Sequence, residues 1–154
     1  MKRLLKFLYL FFSPFLLSEY LENLKIKKVV DGDTIHVLNK GETLKVRLTE
    51  IDAPEMDQPH GQKSKDYLDS LLEDGYIDLD VSGTDVYRRK LARVYWKQQD
   101  INRLMISSGN AWVYDKYVTD KTFYEDQDYA KSNNLGFWKS EDPIEPWIWR
   151  RKNK

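Results

Sequence analysis

Two short acidic segments carry the residue types that could do chemistry in this chain. Asp31-Gly32-Asp33 interrupts the strand-like run VVDGDTIHVL, and Asp52 and Glu55 stand close together at the end of a later apolar run. Burying a carboxylate without a partner is strongly unfavourable. Each segment is therefore either a solvated turn or a site at which the carboxylates have a cationic partner.

The two segments border a predicted β-hairpin. Residues 34–38 are β-branched and apolar, residues 43–51 alternate apolar and polar side chains, and the NKGE sequence between them has the residue types of a tight turn. Pairing about this turn places Thr34 opposite Arg47 or its neighbours. The acidic segments are thereby brought to one end of the hairpin.

A cation site is predicted at that end. Asp33, Arg47 and Asp52 gather there, with Glu55 one short turn beyond. Carboxylates that converge repel one another unless a cation lies between them. A hard cation with oxygen ligands, calcium first, is the natural candidate.

A third segment, TDVYRRK, places Tyr87, Arg88 and Arg89 in the connection before a predicted strand. Taken alone, this pattern is typical of a solvated loop. A metal, a free carboxylate and two separated arginines together suit phosphodiester hydrolysis. The metal polarises a phosphoryl oxygen, the carboxylate takes a proton from water, and the guanidinium groups stabilise the pentacoordinate charge. Arginine suits this task because its planar fork matches two phosphate oxygens.

The composition is that of an ordinary soluble domain. The chain has 154 residues, enough for one hydrophobic core, and its 41% apolar and 32% charged residues argue against wholesale disorder. Basic and acidic residues number 25 each, so any sign of a polyanionic partner must come from local clusters. The absence of cysteine excludes disulfides, a thiolate metal site and a cysteine nucleophile.

The N-terminus predicts a leader. Lys2, Arg3 and Lys6 precede an uncharged stretch from Phe7 to Ser18, which is the layout of a secretory signal. The stretch is shorter than the roughly 20 residues that a membrane-spanning helix needs. We therefore expect residues 1–22 to be a signal peptide, which would make the protein secreted or periplasmic. An uncleaved membrane anchor with the domain outside the cytoplasm is the alternative.

Residues 23–154 predict a single α+β domain, a small closed β-barrel with helices packed on it. Asp100 is a predicted N-cap, and Gly109 ends the helix that follows it. The five strands are predicted at residues 25–30, 34–38, 43–51, 76–81 and 90–96, and the three helices at 61–73, 100–108 and 119–134.

Five motifs agree in order and spacing with one known family. They are VVDGDTI, VRLTEIDAPE, DVYRRKLARVY, INRLMISSGNAWVYDKY and NLGFWKSEDPIEPWIWRR. From about Lys25 to Arg151 the chain resembles the staphylococcal nuclease (thermonuclease) family. The resemblance implies an OB-type five-stranded β-barrel with three helices and calcium-dependent cleavage of DNA and RNA. It also implies breakage of the bond to the 5′ oxygen, which leaves a 3′-phosphate.

The resemblance assigns roles to two sets of residues. The metal set supplies calcium ligands from Asp33, Asp52 and the backbone carbonyl of Ala53, with Asp31 placed to orient a metal-bound water. The catalytic set comprises the general base Glu55 and the two phosphate-binding arginines, Arg47 and Arg89.

Two departures from the family pattern affect the expected substrate contacts. The family usually has glycine where Arg88 stands, and glycine there suits a positive φ angle that arginine adopts at some cost. Spacing from Tyr87 favours Arg89 as the matched arginine, with Arg88 as an added phosphate contact. The tyrosine expected at Asp115 is absent, so stacking on a nucleotide is predicted at Tyr117 or Tyr87.

Other conspicuous residues are interpreted as structural. The spacing of His36 and His60 places neither in the predicted site, and each is interpreted as a surface or core histidine. Asp57 is a less favoured candidate than Glu55 for the general base. The basic end, residues 150–154, could contact a phosphate backbone, although charged termini commonly fray. Four tryptophans are expected to be buried rather than to stack on bases: Trp112, Trp138, Trp147 and Trp149.

The sequence thus predicts an exported, calcium-dependent nuclease that cleaves DNA and RNA with little sequence specificity. Phosphate contacts and base stacking do not read base edges, so they carry little sequence information. No stable protein partner is implied, a monomer is expected, and membrane association would occur only through the leader. The rival from another class is a barrel that binds nucleic acid without cutting it. Such domains typically lack the metal and base residues that this chain retains.

Overall fold

The computed structural model describes residues 18–153. The predicted leader at residues 1–22 lies mostly outside this range and stays a prediction. Within the described range, no helix combines the length and the apolar character needed to cross a bilayer.

Strands come first in the chain and helices are interleaved later. The elements in chain order are β1 (Glu19–Val29), β2 (Thr34–Asn39), β3 (Glu42–Leu48), β4 (Ile51–Asp52), α1 (Gly61–Leu71), β5 (Tyr76–Thr84), β6 (Lys90–Trp96), β7 (Gln99–Asp100), α2 (Ile101–Ser107), β8 (Trp112–Val113), α3 (Thr122–Ser132), a 3₁₀ helix (Gly136–Lys139) and α4 (Pro146–Lys152).

Five long strands close into the predicted barrel. The sheet runs in the order β3-β2-β1-β5-β6, with β7 at its edge, and a parallel pairing of β3 with β6 joins the two ends. Strand β1 is long enough to serve two neighbours, since residues 25–29 pair with β2 and residues 19–25 pair with β5. This confirms the OB-type α+β barrel.

The barrel interior is filled by the alternate residues of each strand. Val46 and Leu48 on β3 are fully buried, whereas Lys45 and Arg47 between and beside them face outward. Helices α1, α2 and α3 complete the core with fully buried side chains from Leu68, Met105, Ile106 and Phe123. Because the inward positions are apolar, the outer face at the barrel closure is left for polar side chains.

The single strand predicted at residues 43–51 is interrupted. Glu50 has a φ of 67°, in the left-handed region, so β3 ends at Leu48 and the short β4 begins at Ile51. The Glu50 carboxylate is buried. It accepts a hydrogen bond from the Thr119 backbone N–H at 2.7 Å and forms an ion pair with Arg93 at 2.9 Å. These distant partners hold the backbone in a conformation that the local alternation does not predict.

The prediction of three helices is wrong by one within residues 18–153. The additional helix, α4, begins with Pro146 at its first position, where the missing N–H costs no hydrogen bond. It spans only seven residues and carries two tryptophans, so the sequence shows no amphipathic period to predict it. The basic end is therefore not a frayed terminus up to Lys152.

Candidate active site

The hairpin register brings the two acidic segments together as predicted. Thr34 pairs with Arg47, which confirms the alignment expected from the sequence. The backbone carbonyl of Asp33 extends the pairing by accepting a hydrogen bond from the Leu48 N–H at 2.8 Å. The turn before β2 and the end of β3 therefore meet at one edge of the barrel.

Gly32 is required in the first acidic turn because space is short. A Cβ on Gly32 would lie 2.0 Å from Ser64 Oγ and 2.7 Å from Ala53 Cβ. Ser64 belongs to α1, and its hydroxyl donates to the Asn110 carbonyl at 2.6 Å, so it is not free to turn away. Glycine thus lets the turn pack directly against α1 and the second acidic segment.

Asp33 and Asp52 converge on one nitrogen atom of Arg47. Arg47 Nη2 lies 3.1 Å from Asp33 Oδ2 and 3.0 Å from Asp52 Oδ1. Asp33 Oδ2 also accepts a hydrogen bond from the Ala53 N–H at 2.7 Å, which ties the first turn to the second. Asp33 is only 6% exposed and Asp52 only 1%. These are two buried carboxylates close enough to share one positive group.

Asp31 stabilises the first acidic turn. Its Oδ1 accepts a hydrogen bond from the Asp33 N–H at 3.0 Å. Burial and then the Asp33 charge raise the pKa of the Asp31 carboxyl to about 7. Burial also raises the pKa of Asp52, with the Arg150 hydrogen bond opposing the shift and the Asp33 charge adding to it. Both shifts come mainly from burial, and the nearby Asp33 charge adds to each.

Glu55 is held by a tight turn but its side chain reaches solvent. Its N–H donates to Gln58 Oε1 at 3.1 Å, and its carbonyl accepts from the Gln58 N–H at 2.9 Å. A Cβ on Gly61 would lie 1.9 Å from the Glu55 carbonyl oxygen, so α1 begins in direct contact with this turn. The Glu55 side chain is 37% exposed, which leaves it accessible to water.

Arg150 on α4 joins this cluster. Its Nη1 lies 2.6 Å from Glu55 Oε1 and 3.2 Å from Asp52 Oδ1, and its Nη2 lies 2.7 Å from Asp52 Oδ2. These hydrogen bonds raise the pKa of the guanidinium although burial would lower it. A residue interpreted from the sequence as part of a fraying tail thus contacts the predicted base and a predicted metal ligand.

The segment with Tyr87, Arg88 and Arg89 lies beside the same outer face. Arg89 directly precedes β6, two residues before Leu91, which pairs with Arg47 across the barrel closure. Its Nε donates to Asp85 Oδ2 at 2.8 Å. No hydrogen bond from its two Nη atoms to another residue occurs within the described range 18–153. Arg88 has a φ of 62°, the strained angle expected where the family has glycine.

The predicted stacking residues are exposed but separate from the carboxylates. Tyr87 is 73% exposed, with the Arg89 guanidinium 5.6 Å from its ring centre. Tyr117 is 53% exposed and meets Tyr114 edge-on at 5.0 Å. Both side chains are more than half exposed, so a nucleotide base could reach either ring.

The donor atoms fit a hard cation. Among residues 18–153, no three Asp, Glu, His or Cys side chains form a metal-binding group by themselves. The predicted set differs in kind, since two carboxylates are joined by the Ala53 carbonyl and calcium accepts waters for the rest of its six to eight oxygen ligands. Three carboxylates, those of Asp33, Asp52 and Glu55, contact the two guanidinium groups of Arg47 and Arg150. Asp31 adds a fourth carboxyl group next to Asp33, so a divalent cation would add positive charge at this acidic edge.

Comparison with known proteins assigns this architecture. The family described as staphylococcal nuclease homologue matches residues 45–140. The chain belongs to the staphylococcal nuclease family. It is 44% identical over 131 residues to an uncharacterized endonuclease of Haemophilus influenzae, covering 84% of this chain and 74% of the relative. An uncharacterized endonuclease of Escherichia coli O157:H7 is 36% identical over 129 residues, covering 83% and 84%. A micrococcal nuclease of Shigella flexneri is 36% identical over 141 residues, covering 84% and 81%.

These matches confirm the family predicted from the five motifs, and with it the prediction of a nuclease. Within this staphylococcal nuclease homologue, the structure brings Asp33, Arg47 and Asp52 together at the end of the hairpin, as the sequence predicted. Asp31 bonds the Asp33 N–H, and Glu55 joins Asp52 through Arg150. The sequence did not predict the contact of Arg150 with this group. Its one available signal was the proline that starts the last helix, and that signal does not point to any partner.

Of the four tryptophans predicted to be buried, Trp112 is buried, whereas Trp138, Trp147 and Trp149 are half-buried. Trp112 stacks on Phe137 at 5.1 Å and meets Trp138 and Trp147 edge-on at 4.4 and 6.1 Å. His60 bonds Asn110 at 2.8 Å, a structural contact outside the acidic cluster.

Proposed function

We propose that this staphylococcal nuclease homologue is a calcium-dependent enzyme that hydrolyses phosphodiester bonds in DNA and RNA with little sequence specificity. The observation that supports the proposal most directly is the convergence of Asp33 and Asp52 on one Arg47 nitrogen. Glu55 lies beside them through its contact with the same Arg150 that binds Asp52. A base, two acidic ligands and a guanidinium group are the parts that this hydrolysis needs.

Three groups would hold the calcium ion, namely the carboxylates of Asp33 and Asp52 and the carbonyl of Ala53. When bound, calcium supplies positive charge that polarises a phosphoryl oxygen. Asp31 would orient a water molecule at this edge of the site, since its carboxylate lies directly behind Asp33.

Glu55 acts as the general base in this proposal. Its exposed carboxylate accepts a proton from the attacking water, whose oxygen bonds to phosphorus as the bond to the 5′ oxygen breaks. The 5′ oxygen takes a proton from solvent, and the phosphate stays on the 3′ side. Arg47 and Arg89 donate to the non-bridging oxygens, where negative charge grows in the transition state.

Substrate binding would use the phosphate backbone and one or two stacked bases. Tyr87 and Tyr117 present exposed rings for stacking, and Arg88 adds a positive charge next to Tyr87. Stacking is tolerant of base identity, and phosphate contacts carry no sequence information directly. Cleavage of both DNA and RNA with little sequence preference follows from this mode of binding.

Glu55→Gln tests the proposal. We expect kcat on plasmid DNA and on RNA with calcium to fall by about 10²- to 10⁴-fold, the usual contribution of a general base. Calcium affinity, measured by titration calorimetry, should stay close to that of the wild type because Asp33 and Asp52 remain. The matched control is Asp57→Asn, which removes the neighbouring negative charge but keeps an Oδ1 acceptor for Trp149 Nε1, now at 3.2 Å, and should leave kcat nearly unchanged.

Three outcomes would contradict the proposal. Cleavage by the wild type that continues in excess chelator would remove the metal from the mechanism. A near-normal rate for Glu55→Gln would assign the base to another residue. Substrate left intact by the wild type after long incubation with saturating calcium would favour the non-catalytic binding barrel.

A further inference from the structure

We propose that Arg150 is a third phosphate-binding arginine of the active site, delivered by the C-terminal helix α4. This inference rests on the proposed function and adds a residue to it. Arg150 lies within 2.6 to 3.2 Å of oxygen atoms on Glu55 and Asp52, so its guanidinium already occupies the space around the reacting groups.

Two anchors directly before Arg150 in the chain fix the position of α4. Trp147 stacks on Tyr114 at 5.6 Å with an angle of 9° between the rings. Trp149 Nε1 donates to Asp57 Oδ1 at 3.2 Å. Because these contacts lie within three residues of Arg150, the arginine is presented on a docked helix, where little conformational entropy is lost when it binds a ligand.

The segment before α4 is tied to the Glu55 turn. Gln58 Nε2 donates to the carbonyl of Ile144 at 2.6 Å, while Gln58 Oε1 accepts from the Glu55 N–H at 3.1 Å. One glutamine therefore links the chain leading into α4 with the backbone of the predicted base. The position of Arg150 relative to Glu55 is set by this link as well as by the ion pair.

The charges favour a phosphate as the ligand. Arg47 and Arg150 both donate to Asp52 Oδ1, at 3.0 and 3.2 Å, so two positive groups lie close together with one carboxylate between them. A phosphodiester offers two non-bridging oxygens that match such a pair of guanidinium forks. A substrate phosphate at this edge of the site would thus bind both arginines.

The same contacts give Arg150 an opposite effect on calcium. Arg150 bonds both carboxylate oxygens of Asp52, the predicted calcium ligand. A cation at Asp52 would compete with these bonds for the same two oxygens and would be repelled by the guanidinium charge. Arg150 therefore opposes calcium binding in the absence of substrate. Removing Arg150 should therefore strengthen calcium binding while it weakens catalysis. If Arg150 only stabilised the fold, its removal would weaken both calcium binding and catalysis.

Three variants test the inference: Arg150→Ala, Arg150→Lys and, as the matched control, Arg151→Ala. Arg151 is the next residue of α4, is exposed, and forms no ion pair with any residue in the range 18–153. The measurements are kcat and KM on a short single-stranded DNA with calcium, calcium affinity by calorimetry without nucleic acid, and the thermal midpoint by circular dichroism.

Arg150→Ala is expected to lower kcat/KM by about 100-fold, as for loss of one donor to the transition state. Its calcium affinity should rise by about fivefold, the effect of removing one partly buried ion pair. Arg150→Lys should recover part of the lost rate because it keeps the charge without the planar fork. Arg151→Ala should stay within about threefold of the wild type in both measurements.

The contrary results are distinct. A wild-type rate for Arg150→Ala, or a loss no larger than that of Arg151→Ala, overturns the inference and leaves the proposed function standing. A faster rate for Arg150→Ala overturns it too, since Arg150 would then block the site. Loss of rate together with weaker calcium binding and a lower thermal midpoint in both Arg150 variants would show that Arg150 only stabilises the fold, which also overturns the inference. A wild-type protein that does not cleave DNA with calcium fails the proposed function itself.

Discussion

Gly32→Ala should destabilise the protein far more than an alanine substitution in an ordinary strand. The new methyl group would lie 2.0 Å from Ser64 Oγ and 2.7 Å from Ala53 Cβ, well inside van der Waals contact. Overpacking a tight interior typically costs 1–3 kcal/mol, and with two short contacts we expect about 3 kcal/mol here. For a domain of this size, that corresponds to a fall of roughly 10 °C in the thermal midpoint.

The assay is urea unfolding followed by circular dichroism, with Gly83→Ala as the matched control. A Cβ on Gly83 meets nothing within 4 Å, so this variant should change the free energy of unfolding by less than about 0.5 kcal/mol. Ser64→Gly should cost roughly 2–3 kcal/mol by itself, since glycine weakens a helix and the buried Asn110 carbonyl loses its hydroxyl donor. In the double variant the removed serine side chain makes room for the new methyl group, and the coupling energy should exceed about 1 kcal/mol.

The site gives a second readout. Asp33 directly follows Gly32 and bonds the Ala53 N–H, so a shift of this turn away from Ala53 should weaken calcium binding in Gly32→Ala more than in Gly83→Ala. A free energy of unfolding for Gly32→Ala as close to wild type as that of Gly83→Ala would refute the reasoning. Destabilisation that Ser64→Gly does not relieve at all would refute the assignment of Ser64 as the obstructing neighbour.

Two further predictions concern Glu50 and Arg88, which both have a positive φ angle and lie outside the acidic cluster. Burial would raise the pKa of Glu50, but hydrogen bonds from Thr119, the Asp120 N–H and Arg93 outweigh it and lower that pKa. Glu50→Gln should therefore reduce the free energy of unfolding at pH 7 by about 2 kcal/mol, and this deficit should shrink below about pH 4 as the wild-type carboxylate becomes protonated. Urea unfolding at several pH values measures the deficit, and one that stayed constant down to pH 2 would contradict the argument. Arg88→Gly should raise the free energy of unfolding by about 1 kcal/mol, because glycine relieves the φ of 62°, and a lower thermal midpoint would count against this.

The hairpin and its acidic ends could be predicted from the sequence because the interactions are local. The turn residues and the alternation of residues 43–48 set the register, and that register alone places Thr34 opposite Arg47. The cap at Asp100 is local too, since its side chain accepts a hydrogen bond from the Arg103 N–H at 3.1 Å. Patterns within about 20 residues thus predicted the position of Asp33, Arg47 and Asp52.

Three features depend on partners far away in the chain. Gly32 is required by a helix side chain rather than by its own φ, Glu50 leaves the strand pattern because its carboxylate is bound by Arg93 and Thr119, and Arg150 reaches the acidic cluster through α4. A local pattern records the preference of a segment for a helix, strand or turn. It does not record which side chain from elsewhere will fill the space or balance the charge beside it.

The amino-acid sequence by itself determined the barrel, the family and the acidic edge of the site, since each follows from short-range pattern and motif. Only the tertiary structure decided that Arg150, about 100 residues further along the chain, also meets those acids. Charges placed on distant segments interact only after the barrel has closed and α4 has packed onto it, because Coulomb attraction between exposed groups is largely screened beyond about 10 Å of water and salt.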